Sequence, residues 1–228
     1  MKELIKKLLP LSFKKFIKSF PLRFKTSEKI FTDYYTNNRW GDPSSKSGSG
    51  SNLEQTSTLI LELPKLFNKY HIKSILDIPC GDFFWFKNVE LDEKINYTGA
   101  DIVSKLIDKN KILYASNNLE FVKKDITRDK LPFADLIICR DCLVHLSFSD
   151  IKDAINNIKR SSSKFILTTH FFDRRKNHNI TTGDWRTLNL TLKPFNFGEP
   201  IEIIHENCSE GNGSYADKTL ALWKINDI

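Results

Sequence analysis

A regular alternation of short apolar runs and helical segments begins at residue 73 and constrains the fold of this chain more than any other feature. The apolar runs predict strands over 73–79, 96–101, 119–124, 134–139 and 164–169. Helical patterns separate them over 82–89, 103–113 and 148–160, the last opened by a capping box of Ser147 and Asp150. Strand–helix alternation of this kind predicts an α/β fold with a parallel sheet. Two further strands, 201–206 and 218–225, have no helix between them, so we expect an antiparallel hairpin at the sheet edge.

The net charge of +7 is concentrated at the N-terminus. Residues 1–25 include eight basic residues and one acidic residue, which account for the whole charge of +7. The net charge of residues 26–228 is therefore zero. A neutral body has no excess positive charge to attract a phosphate backbone, which argues against a nucleic-acid partner. The apolar residues of the basic segment have nearly helical spacing, which predicts either an amphipathic helix packed on its own domain or peripheral contact of residues 1–20 with an anionic membrane.

Bulk composition favours a single domain in a reducing compartment. The sequence holds no apolar stretch of about 20 residues and no cleavable signal pattern. Four cysteines in 228 residues do not make a disulfide scaffold. We therefore expect a cytoplasmic protein, with a possible peripheral position at the inner membrane face through its basic segment.

The stretch GDPSSKSGSGSN, residues 41–52, is the only low-complexity segment and is here called the Ser/Gly loop. A flexible linker is one interpretation. The other is a ligand-contacting loop, because Ser51 and Glu54 predict a capping box that opens a helix through about residue 70. Free N–H groups at such a helix start can meet a ligand, which makes Ser49 and Gly50 candidate contacts, with Trp40 able to close over a bound ring.

Acidic residues follow three successive predicted strands, at the sheet edge where open parallel sheets bind ligands. The first strand runs into Asp77-Ile78-Pro79-Cys80-Gly81, the second ends at Asp101 and the third at Asp125. An acid at the second position can take both hydroxyls of a ribose. An acid beside an apolar residue, as in Asp125-Ile126, can hold an adenine amino group and ring face. One such Asp is commonly a helix cap, but three in succession make capping alone a poor explanation.

The ordered set LDIPCG, YTGADI, KKDI and ADLIICRDCLVHL resembles the class I S-adenosylmethionine-dependent methyltransferases, over about residues 70–170. The flanking N-W-G…S-G-S-G-S and G-D-W-R-T-L-N-L segments resemble a bacterial methyltransferase group that is often associated with surface-polysaccharide genes. The resemblance implies a Rossmann-like, seven-stranded sheet ending in an antiparallel strand, and S-adenosylmethionine as cofactor. It divides the chain into a basic segment (1–25), a helical and Ser/Gly-loop cap (26–72) and a methyltransferase domain (73–228).

Cofactor-binding roles follow from the resemblance. It implies the methionine end at Asp77, Cys80 and Gly81, the ribose at Asp101 and Ile102, the adenine at Asp125 and Ile126, and a lining after the fourth strand from Cys139 and Arg140. This cofactor has no phosphate, so one glycine in the first turn is enough, whereas pyrophosphate turns usually carry two or three. Asp82 would repel a phosphate but can hold the cofactor's amino group, or it caps the helix that follows.

The candidate base lies in Arg140-Asp141-Cys142-Leu143-Val144-His145. In a helical turn, Asp141 and His145 share a face, and a carboxylate beside an imidazole raises its basicity. The alternative is a structural histidine, and His170, after the fifth strand, is a second candidate base. Some relatives bind a metal through E-x-x-E-H at this place, but Val144 stands at a ligand position, so we predict no catalytic metal.

The segment after the fifth strand combines acid, indole, guanidinium and amide groups in Asp184, Trp185, Arg186 and Asn189. This mixture is typical of carbohydrate sites, although an ordinary polar loop has the same composition. We therefore predict O-methylation of a sugar hydroxyl on a surface glycan or its nucleotide- or lipid-linked precursor. The alternatives are methylation of protein, RNA or another small molecule, a non-catalytic S-adenosylmethionine-binding protein, and a dehydrogenase with a degenerate glycine loop.

Overall fold

The computed structural model of the chain describes residues 20–228, with side chains from residue 22 onward. Most of the basic N-terminal segment lies outside this range, so its amphipathic helix and its membrane contact stay predictions. None of the helices among the described residues is long and apolar enough to cross a bilayer.

A seven-stranded sheet forms the centre of the protein, as the sequence predicts. Its strands are β1 Ser74–Asp77, β2 Asn96–Asp101, β3 Leu119–Lys123, β4 Leu136–Cys139, β5 Phe165–Phe171, β6 Glu202–His205 and β7 Lys218–Lys224. Their spatial order is β3-β2-β1-β4-β5-β7-β6. Strands β1 to β5 are parallel, and β7 runs antiparallel between β5 and β6. The predicted edge hairpin is therefore confirmed.

Apolar cores cover both faces of the sheet, because successive strand residues point to opposite sides. Ile75 and Ile138 belong to one buried cluster, whereas their neighbours Leu76 and Ile137 belong to the other. All four residues of β4 are buried, as expected for a central strand of a sheet covered on both faces. This burial explains why the strands appear in the sequence as continuous apolar runs.

Within residues 20–228, four α-helices surround the sheet: α1 Ser27–Thr36, α2 Leu53–Lys69, α3 Ser104–Tyr114 and α4 Phe148–Arg160. Ser147 caps α4 by accepting a hydrogen bond from the Asp150 N–H, as predicted. The predicted cap of α2 is wrong. Ser51 lies in a 3₁₀ turn, Ser49–Ser51, and the Asn52 side chain accepts from the Gln55 N–H at 2.9 Å instead.

The helix predicted over 82–89 is also wrong, and only a 3₁₀ turn forms there, at Phe86–Asn88. Phe83 has φ of 58°, a left-handed conformation that interrupts an α-helix. Phe83, Trp85 and Phe86 are buried, and the rings of Phe83 and Phe86 pack on Tyr97 with centroids 5.3 and 4.7 Å away. Burial of this aromatic cluster outweighs the local helical pattern.

The segment 26–72 packs against the sheet. Tyr35 of α1 and Leu59 and Leu63 of α2 lie in the same buried cluster as Ile75 of β1. The tripartite division of the chain stays a prediction, but α1 and the Ser/Gly loop lie over the carboxyl ends of the strands, where both line the cavity described next.

Candidate active site

A cavity of about 810 Å³ opens at the carboxyl ends of the parallel strands. Its walls come from the turns after β1 to β4, from α1 and the Ser/Gly loop, and from residues 183–185 and 208–218. Cavities that bind cofactors and small molecules have volumes of about 300–1,000 Å³. This one is therefore large enough for a cofactor and part of a second reactant.

Two buried carboxylates lie at the ends of β1 and β2. Asp77 accepts a hydrogen bond from the Tyr97 hydroxyl at 2.7 Å, and burial raises its pKa to about 7. Asp101 accepts from the Val103 N–H at 2.9 Å and from the Gly81 N–H at 3.3 Å, and burial raises its pKa to about 6. Both line the cavity, as do Cys80, Gly81 and Ile102. Because burial disfavours the charged form of these carboxyl groups, a bound cation or hydroxyl donor would stabilise it.

The turn after β3 brings Asp125 and Ile126 to the cavity. The Asp125 carboxylate accepts from the N–H and the hydroxyl of Thr127, at 2.9 and 2.6 Å, both through Oδ1. After β4, Arg140 lines the cavity but Cys139 does not. The prediction for Cys139 is wrong because its side chain points from β4 into the apolar core, where it is fully buried. Cys142 lines the cavity instead.

The Ser/Gly loop is fastened to the first turn by Asp82. The Asp82 carboxylate accepts hydrogen bonds from the Ser45 hydroxyl at 3.1 Å, the Lys46 N–H at 2.8 Å and the Ser47 hydroxyl at 3.1 Å. The Asp82 N–H donates to the Ser47 hydroxyl oxygen at 2.9 Å. A side chain at Gly81, whose φ is 55°, would overlap that same hydroxyl. Asp82 therefore neither caps an α-helix nor has free acceptor sites for a ligand, and it holds the loop over the turn.

Replacing Asp82 by alanine is expected to release the Ser/Gly loop. We expect faster cleavage of residues 43–51 by a non-specific protease and weaker cofactor binding, since the loop forms one wall of the cavity. Limited proteolysis with mass spectrometry and calorimetry measure the two effects. Asp92→Ala, an exposed site outside the cavity, serves as control. An unchanged cleavage rate at 43–51 would contradict the fastening role.

A buried cluster of four charges supports the other end of the loop. Arg140 and Glu206 are paired at 2.6 Å, and Lys218 pairs with Asp141 at 2.7 Å and with Glu206 at 3.3 Å. Arg140 also donates to the Gly50 carbonyl at 2.7 Å, and the Ser49 hydroxyl donates to Glu210 at 2.5 Å. Glu206, Glu210 and Lys218 were not predicted as site residues, because they come from the edge hairpin and no sequence spacing connects them to Arg140. The Ser/Gly loop is thus held at both ends, which is contrary to a flexible linker.

His145 projects into the cavity from the short turn Leu143–His145 after β4. Its Nδ1 lies 2.9 Å from the Asp184 carbonyl oxygen. A carbonyl only accepts, so Nδ1 carries the proton and Nε2 has a free lone pair in the neutral ring. Burial lowers the pKa of His145 below its usual 6.5, so the ring is neutral at pH 7. A neutral imidazole whose tautomer is set by a backbone carbonyl can accept a proton at Nε2.

The predicted Asp141–His145 pair does not form. Asp141 has φ of 50° and precedes the turn, so the two residues do not share a helical face. Its carboxylate accepts from Lys218 instead, and the Lys218 and Arg140 cations hold its pKa well below the usual range. Asp141 therefore stays ionised and acts on His145 only through its charge.

His170 is outside the cavity, which overturns its prediction as a base. The ring is buried against Trp223, with centroids 5.5 Å apart, and Nδ1 accepts a hydrogen bond from the Leu190 N–H at 3.2 Å. Burial lowers its pKa to about 4. These contacts make His170 a neutral packing residue.

Of the four predicted substrate contacts, two line the cavity and two do not. Asp184 and Trp185 line the cavity, whereas Arg186 and Asn189 are buried below it. The Arg186 guanidinium donates to the carbonyls of Leu143 and Leu146, both at 2.8 Å, and so fixes the turn that carries His145. Asn189 donates to the carbonyls of Phe172 and Arg174, both at 3.0 Å. Both residues order the segment rather than meet a ligand, because they satisfy buried backbone carbonyls.

Part of the cavity lining is aromatic and is here called the aromatic wall. It consists of Tyr34, Trp40, Phe171, Trp185 and Tyr215. The Trp40 ring centroid lies 6.1 Å from that of His145 and 5.3 Å from that of Tyr34, so Trp40 packs beside both rings. Trp185 lies 4.9 Å from Tyr215 and is 42% exposed. Tyr34, Phe171 and Tyr215 were missed from the sequence because they lie on three separate segments.

The described part of the chain contains neither a disulfide nor a cluster of potential metal ligands. Its four cysteines are free, and no group of three His, Cys, Asp or Glu side chains is placed to hold a metal ion. Val144, at the position of a metal ligand in some relatives, is fully buried in the core. The absence of a catalytic metal stays a prediction.

The cofactor expected from the sequence fits the β1–β3 end of the cavity. Asp77, Asp82, Asp101 and Asp125 give this end a negative potential, which suits a sulfonium and disfavours a pyrophosphate. A Cβ at Gly81 would lie 2.4 Å from Ser47 Oγ, so the Ser/Gly loop approaches this turn closely. The donor set is therefore consistent with a cofactor that carries positive charge and ribose hydroxyls.

Comparison with solved structures agrees with this architecture. The complex of human N-acetylserotonin methyltransferase with SAM aligns with a TM-score of 0.58 and 15% identity, over 92% of this chain and 61% of the human chain. Magnesium protoporphyrin IX methyltransferase from Synechocystis aligns with a TM-score of 0.47 and 15% identity, over 64% of this chain and 72% of that one. An S-adenosylmethionine-dependent methyltransferase from Clostridium acetobutylicum aligns with a TM-score of 0.43 and 16% identity, over 51% of both chains.

Only part of the chain matches a known family. No curated protein matches the sequence. The chain spans about three fifths of the human enzyme with which it aligns, 61%. Residues 75–164 match a family model described as a methyltransferase domain, and this agrees with the predicted cofactor. The fold is that of class I methyltransferases, and S-adenosylmethionine is the cofactor of the family whose model residues 75–164 match.

Proposed function

We propose that this protein is an S-adenosylmethionine-dependent O-methyltransferase whose acceptor is a sugar hydroxyl, on a surface glycan or its nucleotide- or lipid-linked precursor. The observation that carries the proposal is His145, a neutral histidine with its Nε2 unpaired among the described residues and its Nδ1 held by the Asp184 carbonyl. An ionised carboxylate acceptor needs no such base, whereas an alcohol must lose its proton during the transfer.

The proposed roles of the residues follow the order of the strands in the sheet. When bound, the cofactor supplies an electrophilic methyl group on a sulfonium. Asp101 and Asp125, after β2 and β3, are placed to hold its ribose and adenine. His145 Nε2 accepts the proton of the acceptor hydroxyl as the oxygen–carbon bond forms. The Asp184 carbonyl and the Asp141 carboxylate stabilise the resulting imidazolium, and the aromatic wall excludes water from the reacting oxygen.

A carbohydrate acceptor is supported by the aromatic wall. Planar aromatic side chains bind the apolar faces of pyranose rings, and the Asp184 carboxylate beside them can accept hydrogen bonds from hydroxyl groups. An RNA acceptor is less favoured, because residues 26–228 carry no net charge to attract a nucleic acid.

Transfer of a tritiated methyl group from S-adenosylmethionine tests the function. The acceptor pools are surface-glycan precursors, total protein and total RNA from the source cells. We expect base-stable label in the glycan pool with the wild-type protein, and none with His145→Ala. Label confined to protein or RNA would refute the sugar acceptor. Cofactor binding without label in any pool would indicate a non-catalytic binding protein, and NADH binding would indicate a dehydrogenase.

A further inference from the structure

We propose that Arg186 is a positioning residue for the base, which fixes the turn that carries His145 and holds its imidazole as the neutral Nδ1–H tautomer. This inference rests on the proposed function and assigns a role in it to a residue that does not line the cavity. The argument comes from the hydrogen bonds that join the turn to residues 183–186, here called the clamp segment.

Four consecutive backbone carbonyls of the turn accept hydrogen bonds from the clamp segment. The acceptors are the carbonyls of Leu143, Val144, His145 and Leu146. The Arg186 guanidinium donates to the first and the last of them, both at 2.8 Å. The Arg186 N–H donates to the second at 3.1 Å, and the Gly183 N–H donates to the third at 2.9 Å. Arg186 therefore supplies three of these four bonds and holds the turn at both ends.

The turn has few bonds of its own. Leu143–His145 is a single 3₁₀ turn, in which the His145 N–H donates to the Cys142 carbonyl at 2.9 Å. The Leu146 N–H donates to the Leu143 carbonyl at 3.2 Å. One turn of this kind is too short to be stable without tertiary contacts. The bonds from the clamp segment therefore decide where the His145 ring points.

The clamp segment is itself fixed in place and also sets the tautomer of the base. Gly183 has φ of 97°, and a Cβ there would lie 2.7 Å from Ile30 of α1. The Tyr34 hydroxyl, also from α1, donates to the Gly183 carbonyl at 2.9 Å. Asp184 presents its backbone carbonyl to His145 Nδ1 at 2.9 Å. The orientation and the tautomer of the imidazole thus depend on one segment.

Arg186 occupies this position at a cost in stability. Its side chain is buried, and its Nε–H has no acceptor among the described residues. The guanidinium lies over the Phe148 ring, 5.7 Å from the centroid. A buried charge without a counter-ion destabilises a fold, and ionisable groups in such perturbed surroundings cluster at functional sites. The cost indicates that Arg186 serves the site and does more than fill the core.

The charge of Arg186 acts on the base as well. Burial is the main cause that lowers the pKa of His145, and the Asp184 carbonyl and the Asp141 carboxylate oppose it. The Arg186 and Lys218 cations add to the lowering. Lys218 is paired with Asp141 at 2.7 Å, whereas no carboxylate within residues 22–228 forms an ion pair with Arg186. Burial lowers the pKa of Arg186 to about 10, so it stays a cation at neutral pH. Removal of this charge is therefore expected to raise the pKa of His145.

Nitrogen-15 NMR of the full-length protein with labelled histidine tests the inference without any acceptor. The chain has five histidines, and His145→Gln identifies the signals of His145. We expect the wild-type ring to be neutral at pH 7 with its proton on Nδ1, and to titrate below pH 6.5. In Arg186→Met we expect a higher pKa of His145 and loss of the preference for the Nδ1–H tautomer.

Turnover of the same variants separates the charge of Arg186 from its geometry. In Arg186→Met, kcat for the acceptor pool that the wild-type protein labels should fall by about 100-fold, the effect of misplacing a reacting group by about 1 Å. Arg186→Lys keeps the cation but cannot bond both outer carbonyls through a planar fork. We expect it to keep the low pKa of His145 and to have an intermediate kcat. Arg160→Met, at an exposed arginine of α4 outside the cavity, should leave the spectra and kcat unchanged.

The outcomes separate this inference from the proposed function. An unchanged pKa and tautomer of His145 in Arg186→Met that still binds S-adenosylhomocysteine would overturn the inference. If that variant does not fold, a wild-type tautomer together with a wild-type kcat in Arg186→Lys would overturn it. Methyl transfer by the wild-type protein to no acceptor pool would instead refute the proposed function, whatever the spectra of the variants show.

Discussion

Replacing His145 by alanine is expected to reduce turnover by about 10²–10⁴-fold, the usual contribution of a general base. Cofactor binding should be unaffected, because His145 lies on the acceptor side of the cavity, after β4. The measurements are single-turnover methyl transfer and calorimetry with S-adenosylhomocysteine. His205→Ala is the matched control, since His205 is an exposed histidine that packs on Phe172 outside the cavity. Full activity of His145→Ala would remove the base from the mechanism.

The pH dependence of the wild-type protein provides an independent test of the same residue. Burial lowers the pKa of His145 below 6.5, so the neutral, basic ring is lost only as the pH falls through a value under 6.5. With S-adenosylmethionine saturating at every pH, we therefore expect kcat/KM for the acceptor to rise with pH through an apparent pKa below 6.5 and to stay level above it. This limb should disappear in the residual activity of His145→Ala. A limb that persists in the variant would assign the titration to another group.

Replacing Asp101 by alanine is expected to weaken cofactor binding by about a hundredfold, or roughly 3 kcal/mol, because hydrogen bonds from hydroxyls to a charged carboxylate contribute about 1.5–3 kcal/mol each. Calorimetric titration with S-adenosylhomocysteine measures the loss. Burial raises the pKa of Asp101 to about 6, so the carboxyl is partly protonated below that pH. The affinity of the wild-type protein should therefore increase as the pH rises through about 6.

The control for Asp101 is Asp135, a buried aspartate at the opposite end of the strands. It accepts from the Lys73 N–H at 2.8 Å and pairs with Lys164 at 2.7 Å, away from the cavity. Asp135→Ala should lower thermal stability without a specific loss of cofactor affinity in the protein that remains folded. Unchanged affinity in Asp101→Ala would refute the placement of the cofactor over β2. Equal losses in both variants would instead indicate a general effect on folding.

Sequence reasoning was most successful where the signal is local. The strands were predicted to within a few residues because burial on both sheet faces produces continuous apolar runs, as in β4. The acids at Asp77, Asp101 and Asp125 were predicted to share one sheet edge, and all three line the cavity. Parallel connections place every strand's carboxyl end at the same edge, so residue order alone was sufficient for this group.

Sequence reasoning failed where residues distant in the chain compete for the same side chain. Asp141 was expected to pair with His145, four residues away, but the stronger attraction of buried Lys218 and Arg140 decides its position. Asp82 was expected to meet the cofactor or to cap a helix, but the hydroxyls and N–H of residues 45–47 occupy its carboxylate. Arg186 resembled a substrate contact in composition and proved to satisfy two buried carbonyls. None of these partners lies within thirty residues of the side chain it holds, apart from Arg140 beside Asp141.

The sequence by itself therefore determined the fold class, the order of the strands along the chain and the edge of the sheet at which the cavity opens. These properties depend on periodicity and chain direction, which are local and additive. Tertiary structure alone decided which nitrogen of His145 is free, which charges are already neutralised and which aromatic rings line the cavity. Such properties depend on distances between side chains from separate elements, for which a single sequence carries no periodic signal.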